Sequence, residues 1–313
     1  MEKIAVLFPG QGSQHIGMGK ELADQRDDVK KIFELADKAL DESFSELIFS
    51  GEEEELKLTA NTQPALLTVS AAIWQALKNE GISASYAAGH SLGEYSAHVA
   101  AGTLSFTEAV QVVRKRGEYM EEAVPSGQGT MAAVLGLERE ALEEVTRQAT
   151  EEAGIVEAAN FNCPGQIVIS GSAPGVEKAM ELAKKAGARR TMQLQVSGPF
   201  HSSLMKPAAE KMNPVLTPME IGEAEMEVIG NVTAQPVAKE NVVSLLEQQI
   251  TSPVLWEDTI NYLLEQGVDT FIEAGPGKVL SGLVKKVSRR AVTLPVYDKE
   301  TLDKAVAVLK EGK

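Results

Sequence analysis

Residues Tyr86–Ala101 read YAAGHSLGEYSAHVAA. The apolar start of this segment predicts a short strand, and its second half predicts a helix. Between them Gly89–Gly93 matches the pattern G-x-S-x-G, which places a serine on a tight strand-to-helix turn. The alternative is a glycine pair around an ordinary N-cap serine. Because a strand and a helix flank the motif, we favour a nucleophilic Ser91, with the N–H of Leu92 available to bind an oxyanion.

Strands and helices alternate on both sides of this segment. Ile4–Phe8 predicts a buried strand, which is followed by a Gly-rich loop at Pro9–Gly19. Apolar residues with helical spacing follow over residues 29–40. A further helix is expected over about 64–80, with Pro64 in its first turn. Such alternation is typical of a parallel α/β sheet.

The order of elements changes in the middle of the chain. Six segments there predict the ferredoxin-like order β-α-β-β-α-β, at residues 130–135, 138–152, 156–161, 166–171, 174–186 and 190–195. Simple alternation returns after them. We therefore predict a large α/β domain made of residues 1–126 and 198–313, with a small ferredoxin-like domain of residues 127–197 inserted in it. The cleft between the two domains is the expected site.

Composition excludes several classes of function. The chain has 313 residues, with 45 Asp and Glu against 30 Lys and Arg, so its net charge of −15 makes it a poor candidate for nucleic-acid binding. The single cysteine, Cys163, excludes an intramolecular disulfide and a Cys-rich metal site. The opening apolar run is too short for a secretory signal, and no later run reaches the roughly 18 apolar residues of a membrane span. We therefore expect a cytoplasmic protein with no membrane partner.

A serine nucleophile needs a base, and the sequence has only four histidines. His98 is about 10 Å from Ser91 by helical rise, which is too far. His90 is adjacent to Ser91, so its side chain should point elsewhere. His201 follows the predicted small domain, where the chain can line the cleft, and His15 in the first loop is the second candidate. No acidic residue stands out at a strand end, so no catalytic carboxylate is assigned.

Two further features have both a structural and a functional interpretation. The loop FPGQGSQ at residues 8–14 matches neither the dinucleotide fingerprint nor the P-loop. It is either a flexible turn or a segment in which Gln11 supplies a second oxyanion donor. Arg116 shares the apolar stripe of a predicted helix with Val113 and Met120. A buried charge needs a partner, which is either a protein carboxylate or the carboxylate of a substrate.

Five motifs follow one another along nearly the whole chain: FPGQGSQ at 8–14, GHSLGEY at 89–95, NFNCPGQ at 160–166, Phe200-His201, and EAGPG at 273–277. Together they resemble the malonyl-CoA:acyl carrier protein transacylase family of bacterial fatty-acid synthesis. The resemblance implies an α/β-hydrolase-like parallel-sheet domain with an inserted ferredoxin-like domain. It also implies an acyltransferase that moves a malonyl group from malonyl-CoA, through a serine ester, to the phosphopantetheine thiol of acyl carrier protein, without a metal or bound cofactor.

The resemblance implies catalytic roles for residues at matching positions. Ser91 is similar to the nucleophile of the family, and His201 is similar to its base. Gln11 and Leu92 resemble the pair whose backbone N–H groups form the oxyanion hole.

Three further residues match positions of the substrate site. Arg116 is similar to the arginine that clamps the malonyl carboxylate. Gln249 is similar to the residue that holds the catalytic histidine through an amide or main-chain oxygen, in place of the acid of a full Ser-His-Asp triad. Phe200 is similar to the bulky residue that accompanies specificity for malonyl rather than branched extender units.

The carrier protein of this family is acidic, so a chain with a net charge of −15 must dock it on local basic patches. Two basic clusters are candidates, and solvated helix ends are the alternative for both: Lys184, Lys185, Arg189 and Arg190, and Lys285, Lys286, Arg289 and Arg290. Three other functions stay open: a serine esterase or thioesterase with the same turn, an acyltransferase of a polyketide pathway, and a non-catalytic subunit that keeps the fold.

Overall fold

The computed structural model describes residues 3–311, so the predicted domain ends at residues 1–2 and 312–313 lie outside the described residues. Its strands are β1 (Lys3–Phe8), β2 (Tyr86–Gly89), β3 (Gly129–Leu135), β4 (Val156–Cys163), β5 (Gln166–Ser172), β6 (Arg190–Gln193), β7 (Glu227–Ile229), β8 (Val268–Ala274) and β9 (Val292–Val296). They form two separate sheets. The parallel sheet has the order β7-β2-β1-β8-β9, and the antiparallel sheet has the order β4-β5-β3-β6.

Helices connect the strands of both sheets. Over residues 3–311 they are α1 (Lys20–Gln25), α2 (Asp27–Leu40), α3 (Phe44–Ser50), α4 (Glu53–Lys57), α5 (Thr59–Asn79), α6 (Leu92–Ala100), α7 (Phe106–Glu122), α8 (Arg139–Ala153), α9 (Ala173–Lys185), α10 (Lys206–Leu216), α11 (Val242–Gln249), α12 (Trp256–Glu265), α13 (Val279–Val287) and α14 (Lys299–Glu311). No helix in this range is long and apolar enough to span a bilayer.

The prediction that Pro64 lies in the first turn of its helix is wrong. Helix α5 begins at Thr59, and Pro64 lies in its interior, where it removes one backbone donor. The start of the helix is anchored by Asn61 and Thr62, whose side chains donate to main-chain oxygens of the preceding helix at 2.9 and 2.6 Å. The helix is buried on nearly all sides. Tertiary packing therefore determines its start more than local propensity does.

The parallel sheet is covered by helices on both faces. Along β1, Val6 and Phe8 pack into an apolar cluster with α2, α5 and α7, whereas Ala5 and Leu7 pack into another with α12 and α13. The carboxyl ends of parallel strands meet at one edge, which is where ligands bind in open α/β sheets. The loops that follow β1, β2, β7 and β8 come together at that edge.

The antiparallel sheet has an apolar core of its own, with α8 and α9 packed on it. The chain follows the predicted path β3-α8-β4-β5-α9-β6. Backbone hydrogen bonds join this unit to the rest of the protein. The N–H of Phe161 donates to the oxygen of Val254 at 2.9 Å, and the N–H of Val254 donates to the oxygen of Ala159 at 2.8 Å. Strand β4 is thereby fixed beside the loop that precedes α12.

Candidate active site

Ser91 occupies the sharp turn between β2 and α6. Its backbone has φ 52° and ψ −110°, a strained conformation for a residue with a side chain. The turn requires glycine on both sides, since a Cβ at Gly89 would lie 1.9 Å from the Gly93 carbonyl and one at Gly93 would lie 2.1 Å from the Phe8 carbonyl. The N–H of Ser91 donates to Oδ1 of Asn231 at 2.7 Å. These contacts hold the serine at the carboxyl edge of the parallel sheet.

The structure brings His201 next to Ser91. Nε2 of His201 lies 2.8 Å from Oγ of Ser91, and Nδ1 lies 2.9 Å from the main-chain oxygen of Gln249. Because that oxygen can only accept, Nδ1 carries the proton and Nε2 accepts from the serine. Burial, assisted by the positive charge of Arg116, lowers the pKa of His201 from 6.5 to about 3. The imidazole is therefore neutral near pH 7, as a general base must be.

Arg116 is fully buried on α7, as its position on the apolar stripe predicts. Nη1 donates to Oε1 of Gln63 at 2.7 Å, and Nη2 donates to Oε1 of Gln249 at 2.8 Å. Nη2 also lies 3.2 Å from Oγ of Ser91. No carboxylate among residues 3–311 forms an ion pair with this guanidinium, and its buried Nε has no hydrogen-bond partner there. Because the guanidinium has no carboxylate partner within this range, its positive charge can pair with a ligand carboxylate.

A cavity of about 510 Å³ lies in front of the Ser91 hydroxyl. The predicted site residues that line it are Gln11, Ser91, Leu92, Arg116, Phe200 and His201. Leu92 is the first residue of α6, so its N–H has no acceptor within the helix. Residues of the antiparallel sheet, among them Asn162 and Gln166, also line the cavity. The cavity thus lies between the parallel and the antiparallel sheet.

Gln249 is the one predicted substrate-site residue that does not line the cavity. It is fully buried behind the wall. Its main-chain oxygen holds His201, and its side-chain oxygen holds Arg116. From this position Gln249 can affect a ligand through these two residues, and its place among the substrate-site residues stays a prediction.

None of the other three histidines forms a hydrogen bond with Ser91, although His90 lines the cavity. His15 is exposed, and its Nδ1 lies 3.4 Å from the oxygen of Ser13. Nε2 of His90 lies 2.8 Å from Oδ1 of Asn162. His98 is buried, with Nδ1 2.8 Å from Oγ1 of Thr103. Within the described chain, no three His, Cys, Asp or Glu side chains form a group that could hold a metal ion.

Two amide side chains at the site, those of Asn231 and Gln63, are not predicted from the sequence. Asn231 binds both ends of the serine turn, since Oδ1 accepts from the Ser91 N–H and Nδ2 donates to the Gly89 oxygen at 2.7 Å. A signal for it exists, because Asn231 closely follows β7 at the edge that holds the site. Strand β7 has only 3 residues, too few for a pattern to predict. Nothing in the sequence marks Gln63 as a residue of the site, because a single amide side chain within an apolar helix is common.

Comparison with protein families gives a match to the acyl transferase domain over residues 6–310. The malonyl CoA-acyl carrier protein transacylase of Bacillus subtilis (strain 168) is 58% identical over 312 residues, which cover 99% of this chain and 98% of that protein. The chain belongs to the malonyl CoA-acyl carrier protein transacylase family. A Staphylococcus aureus (strain MW2) protein of the same name is 48% identical, over 92% of this chain and 94% of that protein.

Solved structures of the transacylase family have the same fold. The malonyl CoA-acyl carrier protein transacylase of Clostridium perfringens superposes with a TM-score of 0.96 at 42% identity, with 99% of this chain and 98% of that chain covered. A malonyl-transacylase in complex with its type II polyketide synthase acyl-carrier protein gives a TM-score of 0.95 at 41% identity, with 98% and 100% covered. The structural similarity to these transacylases therefore extends over both sheets.

Proposed function

We propose that the protein transfers a malonyl group from malonyl-CoA, through an ester on Ser91, to the phosphopantetheine thiol of an acyl carrier protein, and so supplies extender units for fatty-acid synthesis. One observation carries this proposal. Oγ of Ser91 lies 2.8 Å from Nε2 of His201 and 3.2 Å from Nη2 of Arg116. The base activates the hydroxyl, and a cation without a carboxylate partner suits an acyl group that ends in a carboxylate. The names of the relatives support the same reaction.

The first half-reaction loads the serine. Oγ of Ser91 attacks the thioester carbonyl of malonyl-CoA while Nε2 of His201 takes the hydroxyl proton. The backbone N–H groups of Gln11 and Leu92 bind the oxyanion, where one donor is worth about 3–4 kcal/mol of barrier. The carbon–sulfur bond then breaks, and His201 returns the proton to the thiolate of coenzyme A. The carboxylate of the retained malonyl group pairs with Arg116.

The second half-reaction unloads the serine by the same steps in reverse. The phosphopantetheine thiol of the carrier protein attacks the ester carbonyl, and His201 takes the thiol proton. When the ester bond breaks, His201 returns this proton to Oγ of Ser91. Throughout, the main-chain oxygen of Gln249 holds Nδ1 of His201, which keeps Nε2 turned to the serine. Phe200 lines the cavity and restricts the room for a branched acyl group.

Intact-mass analysis with malonyl-CoA tests the proposal. We expect a stable malonyl adduct that peptide mapping places on Ser91, that is absent from Ser91→Ala, and that is removed by holo acyl carrier protein. Rapid release of free malonate without a carrier would favour a thioesterase instead. No adduct at all would favour a non-catalytic subunit.

We further propose that the carrier protein docks on the α13 basic cluster, which comprises Lys285, Lys286, Arg289 and Arg290. Val279, the first residue of α13, lines the cavity and is 58% exposed. Nζ of Lys286 donates to Oε1 of the cavity residue Gln166 at 2.8 Å. Lys286 of this cluster therefore lies next to the cavity. In the other cluster, Lys185 forms an ion pair with Glu181 at 2.6 Å, which partly neutralises it.

The finer description of the fold is also part of the proposal. We propose an α/β-hydrolase-like large domain of residues 1–126 and 198–313, with a ferredoxin-like small domain of residues 127–197. The path β3-α8-β4-β5-α9-β6 and the sheet order β4-β5-β3-β6 support the second assignment. The parallel sheet with its serine turn after β2 supports the first. A cytoplasmic location stays a prediction that goes with the proposed reaction.

A further inference from the structure

Glu94 is a buried carboxylate that the reaction above does not use. It is 1% exposed and lies in the first turn of α6, three residues after Ser91. A glutamate at this position commonly accepts from the N-cap N–H, but here that N–H donates to Oδ1 of Asn231. Oε2 of Glu94 accepts instead from Nε2 of Gln249 at 2.6 Å and from the N–H of Asn231 at 3.2 Å. The carboxylate is thus directed to the residue behind the cavity wall.

The side-chain amide of Gln249 makes a different type of contact at each end. Nε2 donates to Glu94 and to the main-chain oxygen of Ser91 at 3.0 Å, while Oε1 accepts from Arg116 at 2.8 Å. If the amide were reversed, its NH₂ would face a guanidinium that can only donate, and its oxygen would face the carboxylate. An ionised carboxylate only accepts hydrogen bonds. Glu94, the main-chain oxygen of Ser91 and Arg116 therefore all favour the same amide direction.

Burial makes the ionised form of Glu94 costly. It raises the pKa of Glu94 from 4.5 to about 7, against the hydrogen bonds from Gln249 and Asn231 and the positive charge of Arg116. Burial also lowers the pKa of Arg116, and the negative charge of Glu94 opposes this. The two charges are thus linked through one amide, with Glu94 behind the wall and Arg116 at the cavity.

We propose that Glu94 is a positioning residue for malonyl selectivity, because its side-chain oxygen anchors the Gln249 amide in the direction that holds the Arg116 guanidinium at the cavity. This inference rests on the proposed function. His201 is held by the main-chain oxygen of Gln249, which does not depend on how the amide points. Loss of Glu94 should therefore affect substrates that carry a carboxylate more than those that lack one.

Two substitutions distinguish the reach of Glu94, which is the length of its side chain, from its charge. Glu94→Asp keeps the charge but withdraws the acceptor by about 1.5 Å, the length of one carbon–carbon bond. We expect the rate of Ser91 acylation by malonyl-CoA to fall about tenfold, the effect of losing one charged hydrogen bond, with little change for acetyl-CoA. Glu94→Gln keeps the reach and an acceptor oxygen. Because Arg116 and the main-chain oxygen of Ser91 favour the same direction of the Gln249 amide, this oxygen should turn to Nε2 of Gln249, and the variant should retain the malonyl preference. Intact-mass time courses give these rates for both thioesters.

The malonyl-to-acetyl ratio is the rate of Ser91 acylation by malonyl-CoA divided by the rate with acetyl-CoA. The inference is overturned if Glu94→Asp keeps this ratio, whether both rates are unchanged or both fall equally. It is also overturned if Glu94→Gln loses the ratio as Glu94→Asp does, because charge and not reach would then matter. In an Arg116→Ala background, Glu94→Asp should cause no further loss of malonyl acylation, whereas an additive loss would contradict action through Arg116.

A matched control is available on the same helix. His98 is buried on α6 and contacts Thr103, away from the amide network. His98→Gln should keep the malonyl-to-acetyl ratio of the wild type even if it lowers thermal stability. The wild type distinguishes a failure of this inference from a failure of the proposed function. Without a malonyl adduct on wild-type Ser91 the proposed function fails, whereas a normal adduct with an unchanged Glu94→Asp ratio removes only this inference.

Discussion

Nη2 of Arg116 lies 3.2 Å from Oγ of Ser91, so the cation stands beside the atom that is to be acylated. In a malonyl ester the carboxylate carbon is three bonds from that oxygen, a span of about 4 Å at ordinary bond lengths. A guanidinium at this position suits a three-carbon diacid. A longer diacid would have to fold back to reach it, and an acetyl group would leave it without a partner.

Arg116→Ala should remove the preference for malonyl over acetyl. We expect malonyl acylation of Ser91 to slow about 100-fold, because charged hydrogen bonds worth about 1.5–3 kcal/mol each are lost. Acetyl acylation should change little. Arg114→Ala is the control, since Arg114 lies on the same helix but its side chain contacts Asn61 and Glu42. A variant at Arg116 with wild-type selectivity would contradict the carboxylate role.

The acylation rate should not decline with a pKa near 6.5 as the pH falls. The folded state lowers the pKa of His201 to about 3, from 6.5. The base therefore stays neutral from about pH 8 to about pH 5, a range in which an unperturbed histidine would become protonated. Single-turnover acylation by acetyl-CoA, followed by intact mass, checks this, because Glu94, whose pKa burial raises to about 7, should affect mainly substrates that carry a carboxylate. An acid limb centred on pH 6.5 would show that His201 titrates as an exposed imidazole does.

The lowered pKa of His201 also predicts how the stability of the protein depends on pH. Below pH 6.5 the unfolded chain protonates His201 and the folded chain does not until about pH 3. The unfolded state then binds more protons, so the contribution of His201 to the free energy of unfolding is lost as the pH falls through this window. His201→Gln should therefore weaken the acid dependence of thermal stability between these values. An unchanged dependence would mean that His201 is not neutral in the folded protein.

The side chain of Phe200 should restrict the entry of branched acyl groups into the cavity. It is 6% exposed and lines the cavity together with His201. Phe200→Ala opens room for one extra methyl group, and the rate with methylmalonyl-CoA should rise about tenfold relative to malonyl-CoA, since one methyl in a pocket is worth about 1–3 kcal/mol. Competition between the two thioesters, resolved by adduct mass, measures the ratio. A ratio equal to that of the wild type would place the steric limit elsewhere.

Local sequence signals predict those parts of the site that depend on few residues. The glycines around Ser91 predict the turn, and three-to-four spacing predicts the burial of Arg116. The contact between Ser91 and His201 joins residues 110 positions apart and has no local pattern. Its prediction depends on the scarcity of histidines, the position of His201 after the predicted small domain and the family resemblance. Asn231 is missed because its strand is so short. The amide direction of Gln249 has no local signal at all, because it depends on Glu94 and Arg116 from two other helices.

Docking on the α13 basic cluster should depend on charge. Lys286→Glu with Arg290→Glu reverses two exposed charges of this cluster. Against an acidic carrier, the second-order rate of malonyl transfer should fall about tenfold at low salt, with a smaller loss at high salt, because steering charges act mainly on association. Acylation by malonyl-CoA should stay normal, since neither side chain lines the cavity. Lys184→Glu with Lys185→Glu is the matched control, with the same change in net charge at the end of α9. If the α9 pair slows transfer and the α13 pair does not, the carrier docks on the other cluster, and if neither does, basic patches do not guide it.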